Sequence, residues 1–109
     1  MNGGLVKLKM VIDLLTEKKE SLEKSVRFMK DELVENQNAL MDLQSESFIE
    51  RNKDRSCWSD DWTIHDYIRV NAESRERSIS NYSEKISEKS EYISQINKAI
   101  EILKGGIKL

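Results

Sequence analysis

Apolar residues recur along the first half of the chain with a period of seven. Each repeat of seven residues is labelled a to g, with Leu5 as the first a residue. The a and d positions up to Leu43 are then Leu5, Leu8, Ile12, Leu15, Lys19, Leu22, Val26, Met29, Leu33, Asn36, Leu40 and Leu43. Ten of these twelve residues are apolar. Because such a stripe is typical of a coiled-coil helix, we predict a first helix over about residues 5–50.

A second heptad pattern runs through the last part of the chain. Its a and d positions are Ile68, Ala72, Arg75, Ile79, Tyr82, Ile86, Lys89, Ile93, Ile96, Ile100, Leu103 and Ile107, and ten of the twelve are again apolar. The pair Gly105-Gly106 suits a helix C-terminus, where a left-handed residue is often found. We predict a second helix over about residues 60–104.

The two heptad patterns are out of phase by four residues, and this offset fits two architectures. A four-residue insertion in one continuous coiled coil is a stutter, whereas a chain reversal also uncouples the two phases. Residues 51–68, RNKDRSCWSDDWTIHDYI, favour the reversal because they are rich in Asn, Asp and Ser. The short polar side chains of these residues compete for the backbone hydrogen bonds of a helix and so disfavour its interior. Ser59 is a candidate N-cap for the second helix, and Thr63 with Asp66 offers a second, capping-box start.

We therefore predict an all-α fold, an antiparallel two-helix coiled-coil hairpin that can dimerise into a four-helix bundle. The whole chain, residues 1–109, is expected to form one domain, with the connection at about residues 51–59. Pairing residues whose numbers sum to 115 aligns the two stripes, although sums of 108 and 122 also match them. The chain has no proline and no glycine between Leu5 and Lys104, as expected for long helices.

Four polar residues interrupt the two stripes, namely Lys19, Asn36, Arg75 and Lys89. Lysine and arginine can lay their aliphatic stems along the stripe and keep their charges in water. Polar residues at these positions can also fix the register or the oligomeric state, at a cost in stability. The sequence leaves both interpretations open.

A second apolar line lies outside the predicted stripe of the first helix. Val34, Met41 and Phe48 share position b, and Phe28 and Leu14 lie nearby at position c. Position b points about 130° away from the centre of the a/d stripe, so a two-helix hairpin leaves these side chains in water. Scattered surface hydrophobes are normal, but a row of them indicates an interaction site. We expect this line to bind a protein partner, with a homodimer as the favoured assembly.

Three aromatic residues near the predicted turn are further candidates for partner binding: Trp58, Trp62 and Tyr67. Aromatic side chains that face outward dominate interface hot spots, whereas aromatic side chains that face inward would close the end of the hairpin. We expect Trp62 to pack inward, and the sequence does not decide the orientation of Trp58.

Composition and charge narrow the functional classes. The formal net charge is −2, and the 18 basic and 20 acidic residues are mixed, whereas nucleic-acid binders usually show a basic face. No nucleic acid is therefore expected as a partner. The apolar run at the N-terminus is interrupted by Lys7, Lys9 and Asp13, so we expect no membrane insertion. A single cysteine, Cys57, fits a reducing compartment, and we expect a cytoplasmic protein.

We expect no enzymatic activity, no cofactor and no metal. Catalysis needs a pocket in which several groups converge, and a two-helix hairpin has no interior beyond one seam. The only histidine is His65, and the carboxylates beside it do not form a coordination signature. A phosphate-binding glycine loop cannot form in a region without glycine.

These observations predict a non-enzymatic coiled-coil interaction protein: an adaptor, a chaperone-like factor or an assembly component. One alternative is a structural subunit that forms bundles. Another is a small regulator of nucleic acid, in the manner of dimeric helical-hairpin plasmid copy-number proteins. In length and hairpin pattern the chain also resembles the stalk proteins of flagellar and type III export ATPases, which are long antiparallel two-helix coiled coils. This resemblance covers the two heptad segments and no motif, so it implies a stalk-like component without assigning any functional residue.

Overall fold

The computed structural model describes residues 2–107, which contain three helices. Helix α1 spans Asn2–Leu43, helix α2 spans Glu46–Asn52 and helix α3 spans Ile64–Ile107. The two long helices, α1 and α3, pack antiparallel, and the chain reverses between them. The predicted all-α, two-helix hairpin is thus confirmed, and a single continuous helix with a stutter is excluded.

The chain divides into two compact units. Unit 1 comprises Met1–Met29 and Lys85–Leu109, and unit 2 comprises Lys30–Glu84. Each unit therefore pairs a stretch of α1 with a stretch of α3, and α2 belongs to unit 2.

The core of unit 1 is formed by the predicted a and d residues. Ile12, Leu22, Ile96 and Ile100 are buried, and Leu8, Leu15, Ile93 and Leu103 pack against them. All eight residues belong to the two heptad stripes, four from each helix. The stripe also includes Ile107, whose side chain lies outside the described part of the chain. Burial of these aliphatic groups holds the two helices together, because each buried methylene contributes about 0.8 kcal/mol.

The seam of unit 2 contains a polar contact between the two long helices. Asn36 is buried, and its Nδ2 donates to the carbonyl oxygen of Glu32 at 2.7 Å. Arg75 Nη1 donates to Asn36 Oδ1 at 3.0 Å. Pairing residues whose numbers sum to 115 placed Arg75 opposite Leu40. It missed this contact because the numbers 36 and 75 sum to 111, which falls between the layers that the heptad patterns allow. The amide of Asn36 is therefore hydrogen-bonded on both of its polar atoms.

Helix α1 ends at Leu43, earlier than the predicted end near residue 50. Ser45 has extended backbone angles, its hydroxyl donates to the carbonyl of Asp42 at 2.6 Å, and it accepts from the backbone N–H of Phe48 at 3.2 Å. A serine that bonds the backbone on both sides ends one helix and caps the next. The chain therefore continues as the separate helix α2 from Glu46.

Helix α3 starts at Ile64, at the second of the two predicted starts. Thr63 N donates to Asp66 Oδ2 at 2.9 Å, and Asp66 N donates to Thr63 Oγ1 at 3.2 Å, which together form a capping box. These bonds from the backbone and hydroxyl of Thr63, with a smaller contribution from Arg69, lower the pKa of Asp66. Ser59 caps only a tight turn, in which its Oγ accepts from the backbone N–H of Trp62 at 3.1 Å. The helix start predicted near residue 60 is therefore too early.

The C-terminal end of α3 also differs from the prediction. The helix continues through Gly105 and Gly106 to Ile107. No glycine in the described residues has a positive φ angle, so the expected left-handed cap at this pair is wrong. A left-handed residue is needed only where a helix ends, and α3 does not end at this pair.

The buried seam of unit 1 should carry most of the stability of that unit. We predict that Leu22→Ala lowers the free energy of unfolding by about 2–4 kcal/mol, the range for truncating a buried aliphatic side chain. Ser87 is exposed on α3, so Ser87→Ala should change little. Urea unfolding followed by circular dichroism measures both values, and a larger effect of the serine variant would contradict the assigned seam.

The polar contact in unit 2 should also be measurable. Arg75→Ala leaves the buried Asn36 Oδ1 without its donor, which should lower the free energy of unfolding by about 1–2 kcal/mol. Arg77 is exposed and makes no hydrogen bond or ion pair among the described residues, so Arg77→Ala serves as the control. Equal stability of the two variants in urea unfolding would show that the Asn36–Arg75 bond contributes nothing.

Candidate interaction surfaces

Part of the predicted apolar line of α1 is exposed as expected. In unit 2, the side chains of Val34 and Met41 are 53% and 70% exposed. Seven residues correspond to about two helical turns, so these two side chains lie on the same side of α1. In unit 1, Phe28 is 61% exposed. Methionine is well suited to contact with another protein because its flexible, polarisable side chain adapts to irregular surfaces.

Phe48, the third member of the predicted line, has a different role. It lies on α2, is only partly exposed, and stacks on Tyr67 with ring centroids 5.9 Å apart and an interplanar angle of 8°. The Arg51 guanidinium lies 5.9 Å from the centre of the Phe48 ring. Heptad positions describe one continuous helix. Because α1 ends at Leu43, the line of Val34 and Met41 does not extend to Phe48.

Trp58 completes an aromatic cluster with Phe48 and Tyr67 at the end of unit 2. Its ring contacts Tyr67 edge-on, at 5.6 Å and 66°, and its Nε1 donates to the carbonyl oxygen of Asn52 at 2.7 Å. Asn52 is the last residue of α2, where carbonyl groups lack partners within the helix. Trp58 therefore closes this end of unit 2.

Trp62 does not occupy this position, so the prediction that it packs inward is wrong. Its side chain is 39% exposed, and its backbone belongs to the turn closed by Ser59. Of the three aromatic residues proposed as partner contacts near the turn, Trp62 is thus the one that a partner could reach most easily. Tyr67 and Trp58 contribute mainly to the cluster within unit 2.

A second apolar surface lies at the start of α1 in unit 1, and of its residues the heptad pattern indicated only Leu14. Val6, Met10 and Leu14 are each more than half exposed, and their spacing of four residues places them along one side of the helix. The sequence signal was present, but it follows the i, i+4 spacing rather than the spacing of seven on which the heptad analysis relied. The neighbouring Leu5 and Val11 are also exposed.

The two units carry opposite net charges. Unit 1 contains eleven Lys and Arg and seven Asp and Glu residues, for a formal net charge of +4. Unit 2 contains seven Lys and Arg and thirteen Asp and Glu residues, for a formal net charge of −6. The near-neutral total of the chain conceals this separation, because the charges of the two units nearly cancel.

Unit 1 also has an open groove of about 360 Å³, lined by Lys18, Leu22, Glu88, Lys89 and Tyr92. Three of these five residues are charged. Sites for small molecules are usually enclosed, so this open groove does not resemble one.

No model of a known protein family matches this chain, no curated protein is similar to it, and no solved structure matches its fold. Among residues 2–107, no helix contains a stretch that is both long enough and apolar enough to span a bilayer. The same residues contain no group of three or more His, Cys, Asp or Glu side chains placed to bind a metal ion.

The two tryptophans should differ in their effect on stability. Trp58→Phe removes the bond to Asn52 and part of the contact with Tyr67, so we expect the free energy of unfolding to fall by about 1–3 kcal/mol. Trp62→Phe should change it by less than about 0.5 kcal/mol, as is usual for surface positions. Acrylamide should quench Trp62, the only tryptophan left in the first variant, more strongly than Trp58 in the second. Equal quenching and equal stability would contradict the assignment.

Proposed function

We propose that this protein is a non-enzymatic interaction protein, an adaptor, chaperone-like factor or assembly component that binds a protein partner through α1. The observation that carries this proposal is the exposure of apolar side chains on the side of α1 that α3 does not cover. Val34 and Met41 present such a surface in unit 2, and Val6, Met10 and Leu14 present another in unit 1. A second copy of the chain is the favoured partner, so a homodimer is the proposed working state.

The size of these surfaces supports binding to protein. Full burial of a valine, leucine or methionine side chain is worth about 1.5–3 kcal/mol relative to exposure. Two or three such residues can therefore anchor a contact of several kcal/mol, which must still exceed the entropic cost of association. A protein partner can supply the complementary apolar side chains that make this contact.

The distribution of charge supports a protein partner over a nucleic acid. Exposed acidic residues dominate unit 2, and unit 1 mixes both signs instead of presenting an uninterrupted basic face. Phosphate backbones require clustered Lys and Arg. The alternative of a stalk-like component of an export ATPase is supported by the antiparallel pair of helices alone, and no residue adds to it.

Site-specific photo-crosslinking tests the proposal. A benzoylphenylalanine residue in place of Met41 should form covalent adducts with protein in cells that produce the chain. Placed at the exposed Arg77 on α3, the same probe should form few. Adducts of twice the chain mass identify a second copy, and adducts of another mass identify a different protein. Both results support the proposal.

Val34→Ser, added to the chain that carries the probe at position 41, is the matched variant, because it removes apolar surface without changing charge. It should reduce cross-linking from position 41 several-fold while circular dichroism shows unchanged helicity. Cross-linking from position 41 at the level of position 77 would contradict a binding role for this face of α1.

A further inference from the structure

The apolar stripes of α1 and α3 do not by themselves fix the register of the hairpin, which is the position of one helix along the other. Apolar residues recur every three or four positions on both stripes, so a slide of half a heptad again brings apolar side chains together. The heptad patterns match where residue numbers sum to 108 or 115. The bond between Asn36 and Arg75 instead joins residues whose numbers sum to 111, as do those of Leu22 and Lys89, which line one groove in unit 1.

The observed register gives each polar residue of the two stripes a partner or contact with water. Asn36 accepts from Arg75 at 3.0 Å. Lys19 reaches the carboxylate of Glu23, one turn further along α1, at 3.9 Å. Lys89 lines the open groove of unit 1, where its ammonium group is accessible to solvent. All four polar interruptions of the stripes are therefore accommodated in this register.

The register of sum 115 removes the partner of Asn36. Arg75 then lies opposite Leu40, and Asn36 lies opposite the aliphatic Ile79. The slide is about 6 Å at 1.5 Å per residue, which exceeds the 3.0 Å between Arg75 Nη1 and Asn36 Oδ1. Asn36 is buried on the stripe that faces α3, so its amide oxygen would be left in the seam without a donor. An unpaired buried oxygen of this kind destabilises the register that contains it.

The register of sum 108 brings two like charges together. Lys19 then lies opposite Lys89, so two ammonium groups share one level of the seam and repel each other. Asn36 lies opposite Ala72 and again lacks a donor. Both alternatives are thus compatible with the apolar residues and incompatible with the polar ones.

We propose that the polar residues of the two stripes select a single register of the hairpin, with the Asn36–Arg75 bond as the main determinant. The apolar side chains attract the two helices to each other in all three registers, and the polar residues decide among the three. In coiled coils, a polar seam residue that is satisfied in one arrangement alone specifies register at a cost in stability. The inference concerns contacts within one chain and is independent of the proposed partner.

Helix α2 is the rival determinant of the register, because it contacts both long helices. Phe48 of α2 stacks on Tyr67 of α3, and Arg51 of α2 forms an ion pair with Asp42 of α1. If this link sets the register, removal of the Asn36–Arg75 bond leaves the register unchanged.

Double electron–electron resonance between two nitroxides in one chain measures the register directly. The labels are attached through Gln37→Cys on α1 and Ser83→Cys on α3, both exposed positions of unit 2, in a Cys57→Ser background. In the observed register the two positions are nine residues apart along the hairpin, or about 13.5 Å. Labelled chains are diluted in an excess of unlabelled chain, so that only distances within one chain are read.

The chain with the unmodified seam should give one distance. The double variant Asn36→Leu with Arg75→Leu should keep its helicity, because leucine suits both a helix and an apolar stripe. It should show a second, shorter distance, since the register of sum 115 reduces the separation along the axis by about 6 Å. The population with this distance should rise about tenfold, the shift expected when the penalty for one unpaired buried polar group is removed.

The lysines are tested by one further change. Adding Lys89→Leu to the double variant removes the repulsion from Lys19, so the register of sum 108 should become populated and appear as a longer distance. Arg77→Leu makes the same exchange as Arg75→Leu at an exposed position outside the stripes, and this control should keep the single distance.

Three results would overturn the proposal. One is more than one distance in the chain with the unmodified seam. Another is a single, unchanged distance in the double variant, which would assign the register to α2 and to apolar packing. The third is loss of helicity in the double variant, because the proposal assigns the attraction between the helices to their apolar side chains.

Discussion

The packing of leucine and isoleucine side chains between α1 and α3 is the interaction on which the other features of this protein depend. An isolated helix of any ordinary sequence is only marginally stable in water, and tertiary packing of one face supplies most of its stability. In unit 1 that face is a single stripe from each helix, with Ile12, Leu22, Ile96 and Ile100 at its centre. Because the stripe occupies only one side of α1, the remaining sides are free to carry charge or to expose apolar residues.

The exposed apolar residues matter because a two-helix seam does not use them. The side chains of Val34 and Met41 in unit 2, and of Val6, Met10 and Leu14 in unit 1, are each more than half exposed. Their exposure carries a risk of aggregation unless the charges around them restrict what can bind. Exposed charges of both signs lie three or four residues from these apolar side chains, among them Asp13, Glu17 and Lys30. A partner must therefore match both signs of charge around the apolar residues.

The sequence was sufficient to predict the two long helices and the reversal between them, because the heptad period and the absence of helix breakers are properties of whole segments. It could not predict features that depend on single side chains. The end of α1 depends on how the Ser45 hydroxyl bonds the backbone, and the choice between Trp58 and Trp62 depends on which indole reaches the carbonyl of Asn52. The Asn36–Arg75 bond was missed because its two residues do not face each other in the heptad pairing. Val6 and Met10 were missed because their spacing is that of a helix turn and not that of the heptad.

Contact between two copies through α1 can be observed directly by paramagnetic relaxation. A nitroxide attached to the exposed position 38, through Asn38→Cys in a Cys57→Ser background, lies between Val34 and Met41. Copies carrying the nitroxide are mixed with ¹⁵N-labelled copies that have none, so any line broadening arises between chains. The account predicts strong broadening of amide signals on α1 of the labelled copies. Broadening confined to α3, or no broadening at any concentration, would contradict it.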